Sequence, residues 1–327
     1  MNADVDAIDR LARRQDAVLS RRQLIDLGAT PDWMSRRVTS GRWLRLHPGV
    51  YLVHTGAAPW RSRARAALLY AGNGAALSHT SAAFHHQLLP EPGRTVHVSV
   101  PSTRRVRHQP GLRIHHRDDP PPSWGRLRAT SPISTVLDLV AETTSRPDDV
   151  VALVCAAAQR NVDLAALRRA ARARGRLRHR ALIEELVPLV DTGIESPLEF
   201  RYHALAGRHG LPQAVLQVRE ILDGLWLRAD CRYVGLGLRV ELDGRLAHPH
   251  GRTDTDVWRD NAVVVATREI TLRYRWRHVA LAPCAVARQV ALALVSLGWA
   301  GRPRPCSPTC AIDGQQSLVP KSPSGRA

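Results

Sequence analysis

Lysine is almost missing from this chain. Of 47 lysine and arginine residues, Lys321 alone is lysine. Chemistry that needs a lysine amine is therefore excluded from the folded chain before that position. The remaining cations are arginines, a bias that GC-rich coding also produces, so it carries no binding argument by itself. No apolar run is long enough to span a bilayer, and the start, "MNADVDAIDR", lacks the apolar core of a signal peptide. We expect a soluble, cytoplasmic protein with no membrane partner. Cysteine is scarce, odd in number and scattered (Cys155, Cys231, Cys284, Cys306, Cys310), which fits a reducing compartment. Cys306 and Cys310 are close, but no second pair completes a zinc-ligand pattern, so structural thiols or tail residues are expected.

What is present is charge of one sign. The net charge is +18 over 327 residues, with 44% hydrophobic content. The length suits two or three domains, and the composition is globular. The charge points to a polyanionic partner, most simply nucleic acid; a generally basic proteome is the alternative. The mixture of helical and strand patterns predicts an α/β (mixed α+β) chain.

Residues 1–56 read as a winged helix-turn-helix. "IDRLARRQDAV" has helical apolar spacing. Ser20 is placed to cap "RRQLIDLG", which stops at Gly28. Thr30 and Pro31 open "PDWMSRRVTSG", the expected recognition helix. "WLRLHPGVYLV" alternates around a His-Pro-Gly turn, as a hairpin wing does. The second helix of such a unit enters the major groove, which makes Arg36 and Arg37 candidates for DNA contact, beside Ser35 and Thr39. A three-helix unit that packs without touching DNA is the alternative. Residues 57–145 read as an α+β domain. Its His79, His85, His86, His115 and His116 lie in separate elements without ligand spacing, and are expected as surface or partly buried side chains. Residues 146–190 read as a helical linker, whose seven arginines between 168 and 180 mark a solvated helix broken at Gly175 or, as the alternative, a phosphate-binding segment. Residues 301–327 turn to Pro, Ser and Gly, and are expected to be a disordered tail.

"LSRRQLIDLGAT", "GRWLRLHPGVYLV", "LSHTSAAFHHQLLP" and "SPISTVLDLV" together resemble the AbiEi-like antitoxin family of type IV toxin–antitoxin systems, over roughly residues 5–145. The resemblance implies a winged helix-turn-helix joined to a larger α/β domain, DNA contact, and a cognate toxin as partner.

Residues 191–300 carry the chemistry. The pattern predicts a mixed sheet flanked by helices in the order α-β-β-β-α-β-α. In "RVELDGRLAH", Glu241 and Asp243 alternate onto one strand face while Val240 and Leu242 take the other. A hairpin of ordinary register brings Asp230 beside them. Three carboxylates together repel one another. A divalent cation with oxygen ligands, Mg²⁺ or Mn²⁺, resolves this; neutralisation by Arg232, Arg239 and Arg245 is the alternative. Glu199, in the first turn of the opening helix, is either a further site acid or a partner of the helix dipole. Arg259 is either a phosphate contact or a member of an intrahelical set with Asp256 and Asp260.

"SPLEFR", "LRADCRY", "VELDGRLAH", "DVWRDNAVV" and "ITLRYRWRHV" resemble the Vsr-like endonuclease domain, a branch of the PD-(D/E)XK, restriction-endonuclease-like superfamily. The resemblance implies metal-dependent phosphodiester hydrolysis. Asp230 takes the first acid position and Glu241 the second. Asp243 stands where the broad pattern has lysine, a departure that the Vsr-like branch shares. His248 takes the place of the histidine thought to act there, with His250 as the other choice. Two readings follow: a metal-dependent DNA endonuclease, or an antitoxin-like DNA-binding repressor whose nuclease fold is inactive.

Overall fold

The computed structural model describes residues 3–120, 123–142, 146–222, 224–243, 254–310 and 312, without the side chains of residues 225, 254–256 and 259. The chain is mixed α/β and divides into two compact units, Met1–Ile183 and Glu184–Ala327.

The first unit opens with α1 (Val5–Arg14), α2 (Arg21–Asp26) and α3 (Pro31–Thr39). Ser20 Oγ accepts from the Gln23 N–H at 3.3 Å, and Gln23 Oε1 accepts from the Ser20 N–H at 2.9 Å. This capping box satisfies two donors that a helix start leaves bare. Thr30 Oγ1 accepts from the Trp33 N–H at 3.2 Å, and Pro31 takes the first helical position, where its missing N–H costs nothing. Ile8, Leu19, Leu24, Met34 and Trp43 form the core between these helices. The strands β1 (Val18–Ser20), β2 (Leu44–His47) and β3 (Val50–Leu52) form an antiparallel sheet in the order β1-β3-β2. Gly49, at φ +73°, closes the β2–β3 turn in a conformation that L side chains avoid.

Helix α4 (Trp60–Ala71) follows the boundary expected at 56/57, yet Ala66 packs with Val18, Val50 and Leu52 of the wing sheet. The Asp16 carboxylate accepts from Arg61 Nε at 3.0 Å and from Arg65 at 3.1–3.2 Å. The Ser62 hydroxyl donates to the Asp16 carbonyl at 2.7 Å. The helix is thereby clasped to the turn that precedes β1.

Strands β4 (Ala76–Leu77), β5 (Val96–Pro101), β6 (Leu112–Arg117), β7 (Ser123–Trp124) and β8 (Ala129–Thr130) form a second sheet in the order β6-β5-β4-β8-β7. Helix α5 (His79–His85) runs between β4 and β5. Helices α6 (Pro132–Ala141), α7 (Pro147–Gln159) and α8 (Leu164–Ala173) follow, then α9 (Arg180–Asp191). The arginine-rich stretch is broken at Gly175, between α8 and α9, as the sequence suggests. Part of its charge is used internally: Arg174 pairs with the buried Asp138 at 2.7 Å, and Arg180 donates to the Gly175 carbonyl at 2.8 Å.

The second unit holds α10 (Pro197–Arg208), β9 (Val215–Leu222), β10 (Leu225–Tyr233), β11 (Leu238–Asp243), α11 (Asp254–Thr267), β12 (Ile270–Arg275), α12 (Trp276–Leu281) and α13 (Pro283–Ser296). The sheet order is β12-β11-β10-β9. Strands β9, β10 and β11 are antiparallel neighbours, while β11 and β12 run parallel, a pairing that needs the crossover through α11. Leu205, Val240, Val290 and Leu294 are fully buried at the centre of the core, with Leu242 at its margin. The Tyr202 and Tyr233 hydroxyls meet there at 2.9 Å, satisfying two groups that are costly to bury unpaired. The six-residue α12 is too short for periodicity to reveal, and Pro283 separates it from α13 by disfavouring helix at Ala282. Of the stretch from 301, expected to be disordered, residues 301–310 and 312 are placed. The Arg304 N–H donates to the His209 carbonyl at 2.8 Å, and Ile312 is buried in the same core. Among the described residues, no helix is long and apolar enough to cross a membrane.

Candidate functional site

Helix α3 buries Met34 and half-buries Trp33 and Val38. The spacing of these residues leaves Asp32, Ser35, Arg36 and Thr39 exposed along one face, at the i, i+3, i+4, i+7 positions of a single helix side. Arg36 is free to reach a polyanion. Arg37 is half-buried, with its guanidinium 4.8 Å from the centroid of the Trp33 ring, a cation–π contact. Trp33 in turn meets Trp43 edge-on at 5.2 Å. The wing adds Arg42 and Arg45, both exposed.

In the second unit, Cys231 pairs with Val240 and Arg232 with Arg239. Alternation then puts Asp230, Glu241 and Asp243 on one face of the sheet, opposite the face that Val240 and Leu242 bury. Asp230 Oδ2 accepts from the Leu242 N–H at 2.7 Å. Burial raises the Asp230 carboxyl above the usual range, Asp243 and Glu195 add to the shift, and the Leu242 N–H and Arg228 oppose it. Glu241 is pushed up to about 7, first by burial and then by Asp230, against the pull of Arg273. Among the described residues, the Glu241 carboxylate has no hydrogen-bond or ion-pair partner. Asp243 lies 3.4 Å from Arg273, whose other arm pairs closely with Asp260 of α11.

The neutralising alternative is corrected in part. Arg232 and Arg239 are engaged elsewhere, both pairing with Glu220 and Glu269. Arg245, Asp256, Arg259, His248 and His250 lie outside the described residues or side chains. Asp260 pairs with Arg273 of β12; the intrahelical set also involves Asp256 and Arg259, whose side chains lie outside the described ones. Glu199 is buried and fully occupied as a cap. Its carboxylate accepts from the Glu195 N–H at 2.8 Å, the Ser196 hydroxyl at 2.7 Å and Gln217 Nε2 at 2.8 Å. Burial raises its pKa, those donors oppose the rise, and nearby Asp230 adds to it.

The acids share a face without drawing one oxygen each to mutual ligand distance. Two other groups do converge, with all their ligand atoms within 4.8 Å of one another: His79, His97 and His115; and His209, Cys284, Cys306 and Cys310. The histidine trio spans α5, β5 and β6. His97 Nδ1 lies 3.1 Å from His115 Nε2, and the His79 and His115 rings stack at 3.7 Å. Burial drives His79 down to about 4 and His115 to about 3. The sequence treated His79 and His115 as unrelated and did not single out His97. The parallel pairing of Ser99 with His115 that brings β5 and β6 together is not visible in residue spacing.

Residues 6–54 match the family model described as transcriptional regulator, AbiEi antitoxin. The matched segment runs from α1 through the wing. No curated protein matches the chain. Among solved structures, the crystal structure of RV2827C protein from Mycobacterium tuberculosis is similar at 16% identity, over 56% of this chain and 75% of that one, with a TM-score of 0.39.

Proposed function

We propose that the chain is a DNA-binding transcriptional regulator of the antitoxin type, with a cognate toxin as its protein partner. The observation that carries this reading is the AbiEi antitoxin match over residues 6–54, which falls on a helix whose exposed face presents Ser35, Arg36 and Thr39. Arginine and hydroxyl side chains on the exposed face of a major-groove helix, with arginines beside it on a wing, supply phosphate and base-edge contacts. The excess positive charge favours association and makes it salt-dependent. The test titrates the full chain against a duplex from upstream of its own coding sequence and against a scrambled duplex, over a salt series. Preference for the upstream duplex at physiological salt supports regulation; equal binding to both overturns it.

A second reading, metal-dependent DNA endonuclease, is favoured by Glu241, which among the described residues has no ion-pair partner and lies beside two further acids. The oxygen donors of Asp230, Glu241 and Asp243 suit Mg²⁺ or Mn²⁺, and these residues would hold it. The cation's contribution there is to acidify bound water and offset phosphate charge. His248 would accept the water's proton, and Arg259 would meet the neighbouring phosphate. The assay is plasmid nicking with either metal, with EDTA and Asp230→Ala and Asp243→Ala as controls. Wild-type protein that cuts neither duplex, single-stranded DNA nor RNA leaves the regulator alone.

A further inference from the structure

We infer that His209, Cys284, Cys306 and Cys310 form a structural zinc site that pins the C-terminal segment onto the second unit. The sequence offers only half of it, Cys306 and Cys310 with three residues between them, a spacing that zinc sites use. The fold supplies the rest: His209 from the end of α10 and Cys284 from the first turn of α13.

The distances fit one ion. Cys284 and Cys306 sulfurs lie 3.6 Å apart, Cys306 and Cys310 sulfurs 3.7 Å, and Cys310 Sγ and His209 Nε2 3.4 Å. Zinc bonds of about 2.3 Å to sulfur and about 2.0–2.1 Å to nitrogen, arranged tetrahedrally, give edges of roughly 3.8 and 3.5 Å. A disulfide needs sulfurs at about 2.05 Å, much closer than any of these pairs.

The histidine is prepared for the role. His209 is buried, and its Nδ1 lies 2.7 Å from the Leu205 carbonyl. A carbonyl only accepts, so Nδ1 carries the proton and Nε2 keeps its lone pair toward Cys310. Such a hydrogen bond from the distal nitrogen is the usual support of a zinc-bound histidine. Three thiolates and a neutral imidazole complete four-coordination without an open position, which makes the site structural and not catalytic. It also accounts for the order of a segment whose composition is otherwise that of a loose tail.

The test uses the full chain, purified under reducing conditions and incubated with zinc, then desalted. One zinc per chain is expected. Replacement by cobalt should give the visible d–d absorption of a tetrahedral, thiolate-rich site, with sulfur-to-cobalt charge-transfer bands. Cys306→Ser removes an exposed ligand with little threat to folding, and should lose the zinc and the charge-transfer intensity. Chelation should lower the melting temperature and open the segment after Gly301 to protease. Four results overturn the site: no zinc on the reduced wild-type chain; the same stoichiometry in Cys306→Ser; a cobalt spectrum without thiolate bands; or a Cys284–Cys306 or Cys306–Cys310 disulfide in the protein as isolated.

Discussion

Arg36 and Arg37 are neighbours with separate roles. Arg36 is exposed and Arg37 lies on Trp33. Arg36→Ala should weaken DNA binding and reduce the salt slope by about 1, with an unchanged melting temperature. Arg37→Ala should in addition cost roughly 0.5–1 kcal/mol of stability, the worth of a cation–π contact that solvent still reaches; equal effects of the two changes in binding and melting experiments would remove this division. Glu241 gives a second expectation. Its folded pKa, about 7, lies above the usual carboxylate value of 4.5. The folded state therefore holds a proton that the unfolded state has lost between those values, and stability falls as pH rises through that window. Glu241→Gln should flatten this slope and raise stability above pH 7 in denaturant titrations. Stabilisation by Mn²⁺, if these acids hold the cation, should be larger at pH 8 than at pH 6, because the cation competes with that proton.

The sheet that joins His79, His97 and His115 predicts the opposite pH response. The folded pKa values of His79 and His115 lie below the usual 6.5. Below 6.5 the unfolded chain takes up protons that the folded sheet refuses, so stability is lost as pH falls from 6.5 toward 4, at up to about 1.4 kcal/mol per pH unit for each histidine. His115→Asn should reduce the acid sensitivity of the first unit, measured by amide exchange in β5 and β6 between pH 7 and 5. The elements themselves were largely legible in the sequence. Ser20, Thr30, Pro31 and Ser196 announce helix starts because capping is local chemistry. The alternation of Glu241 and Asp243 against Val240 and Leu242 was readable because a strand's period is fixed. The partners of Arg232 and Arg239 were not, since Glu220 and Glu269 come from other strands and turns. The histidine trio and the thiol set were hidden for the same reason: each is assembled by pairing and packing between distant segments.

At the scale of the molecule, the opposite slopes combine. Calorimetry at pH 5 and pH 8 should move transitions of the first and second units in opposite directions, the first gaining and the second losing stability as pH rises; parallel shifts would show that neither the histidine trio nor Glu241 dominates its unit. The excess of positive charge, +18, also favours binding of polyanions of any sequence at low salt, so regulation has to be judged by preference and not by affinity. The clasp between Asp16 and α4 has a consequence for inheritance. The segment that matches the regulator family model ends at residue 54, but the apolar face of Val18, Val50 and Leu52 is closed by Ala66, and the arginines that hold Asp16 are Arg61 and Arg65. A genetic exchange that moved only the matched segment into a new chain would deliver a wing with a bare underside. The exchange that survives selection must carry the following helix with it, or land beside one that already offers a small apolar residue and a pair of cations at the same spacing.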